Sequence, residues 1–136
     1  HGLADRVGPV TRAAALQVAT SALATLPVIE TPIRLVGIGA TPASLVALTL
    51  GRDLADGEAV HGKTLAAADL QHWLLILSDL AAGARRDLPG LHPGRAEVIL
   101  AGAVITAALA QRWPGVPLII SGCGLRQGLL VERFTD

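Results

Sequence analysis

Between residues 67 and 82 the apolar side chains fall at Leu70, Trp73, Leu74, Leu77, Leu80 and Ala81, the three-and-four spacing of one helix face. Thr64 stands where an N-cap would be, and Gly83 where the helix would end. Over Pro9–Ala24, Val10, Ala14, Val18 and Leu23 form a second stripe, with Arg12 and Gln17 off it and Pro9 in the first turn. Pro27 and Pro32 bracket an extended link, because each disfavours helix in the residue before it. Two short apolar runs carry no helical period: Ile33-Arg34-Leu35-Val36, ending at Gly37, and Val116 to Ile120. Both read as buried strands. A further segment is apolar nearly all round, with Val98, Ile99, Leu100, Val104, Ile105 and Leu109, which predicts a helix buried on several sides. Gly102 within it costs about 1 kcal/mol of helix propensity against alanine, so another backbone is expected to pass close by. Leu125 to Arg133 is a closing helix.

The strands lead into glycine turns. The first is Gly37-Ile38-Gly39-Ala40-Thr41-Pro42, with Thr41 at the N-cap and Pro42 at the first position of a helix over Ala43–Leu50. The second is Ser121-Gly122-Cys123-Gly124. Both would leave the carboxyl ends of parallel strands at one edge of a sheet, where open α/β folds bind ligands. A helix N-terminus reached through glycines leaves backbone N–H groups free for an anion. The same glycines serve equally well to make a tight turn, and the spacing is neither a dinucleotide fingerprint nor a P-loop. Arg95 stands at the start of the buried helix, against the helix dipole unless an acid or an anion answers it.

Other polar stretches suggest less. Gly51–Lys63 holds Asp53, Asp56, Glu58 and His61 without a zinc spacing and reads as a solvated loop. His72 reads as a boundary residue, and Arg85-Arg86-Asp87 as a solvated turn ended by Pro89 and Gly90. Cys123 has no histidine nearby in sequence to activate it and reads as a small loop residue.

Composition narrows the class. A chain of 136 residues is one domain. Its 51% apolar content is mostly Ala, Leu, Val and Ile, with 2% aromatic, which suits helices packed closely on a sheet. Val98 to Ala110 is shorter than the roughly 18 residues a membrane span needs, so no membrane partner is expected. A net charge of +0 and a pI near 7.1 give no footprint for nucleic acid. The single Cys123 excludes an internal disulfide and fits a reducing cytoplasm. There is no Met, so His1 is not a translation start, and a piece of a longer chain is expected.

Three blocks together resemble the Ppx/GppA phosphatase family, the exopolyphosphatases and guanosine pentaphosphate phosphohydrolases. Leu35-Val36-Gly37-Ile38-Gly39-Ala40-Thr41 is similar to the family's glycine/threonine loop, and His61 falls where the family often has a histidine. Pro93-Gly94-Arg95-Ala96-Glu97-Val98-Ile99-Leu100-Ala101-Gly102-Ala103 is similar to its Arg-Ala-Asp-Val-Ile-x-Ala-Gly block. Ser121-Gly122-Cys123-Gly124-Leu125-Arg126-Gln127-Gly128-Leu129-Leu130 resembles Ser-Asp-x-Gly-Leu-Arg-Glu-Gly. The resemblance covers the chain from about Thr31.

That resemblance implies an α/β fold: a partial actin-like, ribonuclease-H-like lobe with short parallel strands flanked by helices. It implies one domain over 1–136, the second lobe of a catalytic module that hydrolyses polyphosphate or guanosine pentaphosphate. Gly37, Gly39, Thr41, Arg95, Gly124 and Arg126 would then line a phosphate cleft. No residue of the chain would be catalytic or bind metal, and Mg2+ would belong to the parent enzyme. The family's two phosphate loops and its catalytic Glu do not occur in this sequence, which implies a missing N-terminal lobe as partner. Gly122 stands where the family usually has Asp, Gln127 where it usually has Glu, and Ala40 where Gly or Ser is common. Those departures motivate a second reading, a non-catalytic regulatory or assembly module. A third is a small stand-alone α/β binding domain. Two strands cannot cover four or five helices, so the chain is expected to associate, as a homodimer, through a sheet edge or swapped elements.

Overall fold

A computed structural model describes residues 5–27, 29, 33–52 and 57–134. Its helices are α1 (Pro9–Leu23), α2 (Ala40–Leu50), α3 (Gly57–Val60), α4 (Ala67–Asp79), α5 (Ala82–Arg85), α6 (Ile99–Arg112) and α7 (Leu125–Phe134), with a 3-10 turn at Pro93–Arg95. Its strands are β1 (Leu35–Ile38), β2 (Thr64–Leu65) and β3 (Leu118–Ser121), in the order β1-β3-β2. β1 runs parallel to β3, with Leu35 opposite Leu118 and Ile38 opposite Ser121. β2 runs antiparallel to β3, with Leu65 opposite Leu118. The mixed α/β class is as expected.

α6 is the axis of the core. α1, α2 and α4 all lie against it, and Ile99, Leu100, Ala103, Val104 and Ala107 are buried beneath them. Leu45, Val46 and Leu48 of α2, and Leu70, Leu74 and Leu77 of α4, complete the cluster with Leu118 and Ile120 of β3. Each fully buried Leu or Ile is worth about 1.5–3 kcal/mol. α6 is nevertheless not enclosed all round, since Ile105 is more than half exposed, as is Val98 at its N-cap. No helix among the described residues is long and apolar enough to cross a membrane.

Several local expectations change. Thr64 does not cap a helix. It opens β2, and α4 begins after Ala66, whose N–H is held by Asp69 Oδ2 at 2.9 Å. That carboxylate satisfies the N–H of the N-cap residue, while no side chain accepts from the first-turn N–H groups as Thr64 was expected to. α4 ends at Asp79, because Leu80 is extended, and Gly83 lies inside α5. The strands run Leu35–Ile38 and Leu118–Ser121, displaced toward their carboxyl ends from the apolar runs. α1 turns Ala15, Leu16 and Ala19 to the core, leaving Val10 and Val18 exposed; in so alanine-rich a helix the stripe gave little contrast. The polar connection after Gly51 contains α3, and its residues 53–56 lie outside the described residues, as do 30–32 of the proline link.

Arg85 is the clearest reversal. It is not in a solvated turn but fully buried. Its Nε donates to the Leu77 carbonyl at 2.8 Å, Nη1 to the Ala96 carbonyl at 3.2 Å, and Nη2 to the Asp5 carbonyl at 3.1 Å. Burial pushes the guanidinium below its ordinary pKa, and the Asp5 carboxylate works against that shift. Beside it, Val7 N–H donates to the Ser78 carbonyl at 2.8 Å and Arg6 Nε to the Asp79 carbonyl at 2.7 Å. The start of the described chain is thus fastened to the end of α4 and the entry to α6.

Candidate functional site

The parallel pairing of Ile38 with Ser121 puts the two glycine turns side by side at the carboxyl edge of the sheet. The turns differ in how their backbone donors are spent. In the first, Gly39 has φ 99° and is the N-cap of α2, a left-handed conformation that favours glycine. Its carbonyl accepts from Ala43 N–H at 3.4 Å. Thr41 is therefore not the cap but the second helical residue, and Pro42 the third. No side chain caps this helix. The N–H groups of Ala40 and Thr41 are left without intrahelical acceptors, and Pro42 has none to give.

Gly37 lies within β1, opposite Ile120, rather than in the turn. A Cβ there would stand 3.0 Å from Pro42 Cβ and 3.3 Å from Ile120 Cδ1, so its small size lets the start of α2 fold back onto the strand. Thr41 points its side chain at α6: a Cβ on Gly102 would lie 2.6 Å from Thr41 Oγ1. What stands nearest to Gly102 is thus the Thr41 side chain. The contact sets the first turn of α6 beside the first turn of α2.

In the second turn the donors are taken. Gly122 N–H is held by His61 Nδ1 at 3.2 Å, Cys123 N–H by Ser121 Oγ at 3.2 Å, and Gly124 N–H by Gln127 Oε1 at 2.9 Å. The Ser121 hydroxyl in turn donates to the Cys123 carbonyl at 3.0 Å. Gly124 caps α7, its carbonyl accepting from Gly128 N–H at 3.1 Å. Gln127 reaching back to the cap residue is one half of a capping box. An amide performs that task as well as a carboxylate.

Two arginines, Arg95 and Arg126, are the candidate cations. Arg95 is half-buried at the end of the 3-10 turn that precedes α6. Its guanidinium has no hydrogen-bond or ion-pair partner among the described residues, and the nearby Glu97 pairs with Arg86 at 3.3 Å. Arg126 is exposed in the first turn of α7, also without a partner among the described residues. Among the described residues no group of three or more His, Cys, Asp or Glu converges. A cavity of about 310 Å³ lined by Thr20, Leu23, Ala24, Ala108, Gln111 and Arg112 lies at the other end of α6.

Sequence reasoning noted His61 but missed what it holds. Its partner is 61 positions away, and nothing local announces the bond.

Residues 6–135 match the Ppx/GppA phosphatase family. The fold is similar to that of the Aquifex aeolicus Ppx/GppA phosphatase, with a TM-score of 0.84 and 26% identity, over 96% of this chain and 43% of that one. An exopolyphosphatase from Cytophaga hutchinsonii shares the fold at a TM-score of 0.71 and 16% identity, over 95% of this chain and 43% of that one. An exopolyphosphatase-like protein does so at 0.78 and 20%, over 95% and 44%. The chain thus spans less than half the length of these solved relatives. No curated protein matches it.

Proposed function

The chain belongs to the Ppx/GppA phosphatase family, and from that premise we propose that it forms one wall of a phosphate-binding cleft in a phosphoanhydride hydrolase. One observation carries this reading: α2 starts uncapped behind Gly39, at the carboxyl end of β1, with the Ala40 and Thr41 amides directed to no acceptor of their own helix. Such a terminus suits a phosphoryl oxygen. Arg95, unpartnered among the described residues, supplies a cation, and Arg126 a second. The Ser121–Gly124 turn, its donors already spent, shapes the edge instead of binding. The substrates of the parent enzyme are polyphosphate or guanosine pentaphosphate.

In this reading the chain is the second lobe of the catalytic module and inactive alone. The Glu that orients water, both phosphate loops and Mg2+ belong to an N-terminal lobe, its partner. The neutral pI and single exposed cysteine suit a cytoplasmic enzyme. Titrating the chain with tripolyphosphate and following backbone amide resonances tests the wall. Ala40 and Thr41 shift first, Arg95→Ala weakens binding about tenfold or more, and no orthophosphate is released. Shifts confined to other parts of the chain would overturn the assignment.

One observation favours the second reading, a regulatory or assembly module. Gly122 and Gln127, which replace two family acids, are both satisfied by neutral hydrogen bonds, so the turn stands without those charges. Phosphate release from long-chain polyphosphate and guanosine pentaphosphate, by a protein carrying this chain at the length of its relatives, separates the two.

A further inference from the structure

The Ser121–Gly124 turn carries three backbone amides at the sheet edge, and two of their acceptors come from the turn or the helix it opens. The third does not. His61 reaches Gly122 from the far side of the sheet, and the route it takes is built by the backbone. β2 pairs Thr64 with Ile119 and Leu65 with Leu118. The pairing continues past β2: Ile120 N–H donates to the Lys63 carbonyl at 2.7 Å, and Gly62 N–H donates to the Ile120 carbonyl at 2.8 Å. Gly62 has φ 74°, so the chain turns there and sets the imidazole of His61 level with Gly122. The bond that results is 3.2 Å, from Gly122 N–H to Nδ1.

We propose that His61 is the positioning residue of the candidate cleft: its neutral imidazole anchors the Ser121–Gly124 turn by accepting the Gly122 N–H, and so withholds that amide from phosphate. The proposal rests on the cleft reading above. The chemistry is restrictive. An imidazole nitrogen that accepts carries no proton, so His61 holds its hydrogen on Nε2. Gly122 follows Ser121 directly, and Ser121 pairs with Ile38, the residue before Gly39. Fixing Gly122 therefore fixes the distance between the spent turn and the open α2 terminus. The anion is confined to the α2 side, where Ala40 and Thr41 donate.

Three variants of the full 136-residue chain test this. Asn places Oδ1 near the position of Nδ1, whereas Gln and Ala do not. Amide hydrogen exchange at Gly122 is expected to run about tenfold faster in His61→Ala and His61→Gln, the worth of one hydrogen bond, and to return to the unmodified rate in His61→Asn. Imidazole nitrogen resonances of the unmodified chain are expected to show the Nε2–H tautomer. On adding tripolyphosphate, the Gly122 amide resonance is expected to shift in His61→Ala and His61→Gln but not in the unmodified chain or in His61→Asn; a Gly122 shift in the unmodified chain would overturn the withholding. Gly122 exchange unchanged in His61→Ala, or a proton found on Nδ1, would overturn the anchor. If tripolyphosphate shifts no amide of the unmodified chain, the cleft reading falls, while the exchange and tautomer arms still decide whether His61 holds the turn.

Discussion

A guanidinium with no access to solvent gives three of its donors to backbone carbonyls at positions 5, 77 and 96. Arg85 is charged at any ordinary pH, and the buried Leu77 and Ala96 carbonyls would lose their guanidinium donor without it. Replacing Arg85 by Met is expected to destabilise the chain by about 3 kcal/mol or more, from unsatisfied acceptors and an ill-filled site. Lys recovers little, since one ammonium cannot reproduce a planar fork aimed three ways. The midpoint of urea unfolding measures both. Sequence could not show this. Arg85-Arg86-Asp87 is charged and followed by proline and glycine, so it reads as solvated surface, and its neighbours Arg86 and Asp87 are indeed exposed. What buries Arg85 is the convergence of three distant carbonyls.

The elements lock through small contacts as well as broad ones. Thr41 of α2 fills the space left by Gly102 of α6. Gly102→Ala gains about 1 kcal/mol of helix propensity but is overfilled, and a net loss of about 1–2 kcal/mol is expected. Thr41→Ala on the same background recovers most of it, and the coupling in a double-mutant cycle by thermal unfolding is the check. This contact was half legible: an interior glycine announces a close neighbour, but not which one. The α4 stripe was read well because Leu70, Leu74 and Leu77 alternate with polar residues at a clear period. β2 was missed because two residues carry no alternation. At the candidate edge, the pairing of the two glycine turns was legible from strand order. The difference between them was not, since it depends on Ser121, Gln127 and His61 spending donors that sequence leaves uncounted.

Across the whole molecule the apolar surface is unevenly covered. Val36 and Ile38 face outward from β1, and α7 exposes Leu125, Leu129, Leu130, Val131 and Phe134. Among the described residues β1 has only β3 for a neighbour, so one side of it is an open edge. The isolated chain is expected to sediment as a concentration-dependent oligomer, with a homodimer the smallest closed form. Ile38→Lys, a charge on the open strand, should shift it toward monomer; a sharp monomer boundary for the unmodified chain at tens of micromolar would contradict this. The parallel pairing of Leu35 with Leu118 has a kinetic consequence too. Between those partners lie α2, β2, α4 and α6, so the chain must close most of its length before the first rung of that ladder forms. Of the helix contacts around α6, the one with α4 needs a much shorter loop and comes sooner, whereas α1 must close a loop as long as that of the ladder. The sheet edge that carries the candidate site is therefore expected to assemble late, together with the docking of α1, with β1 waiting meanwhile as an unpaired, sticky strand.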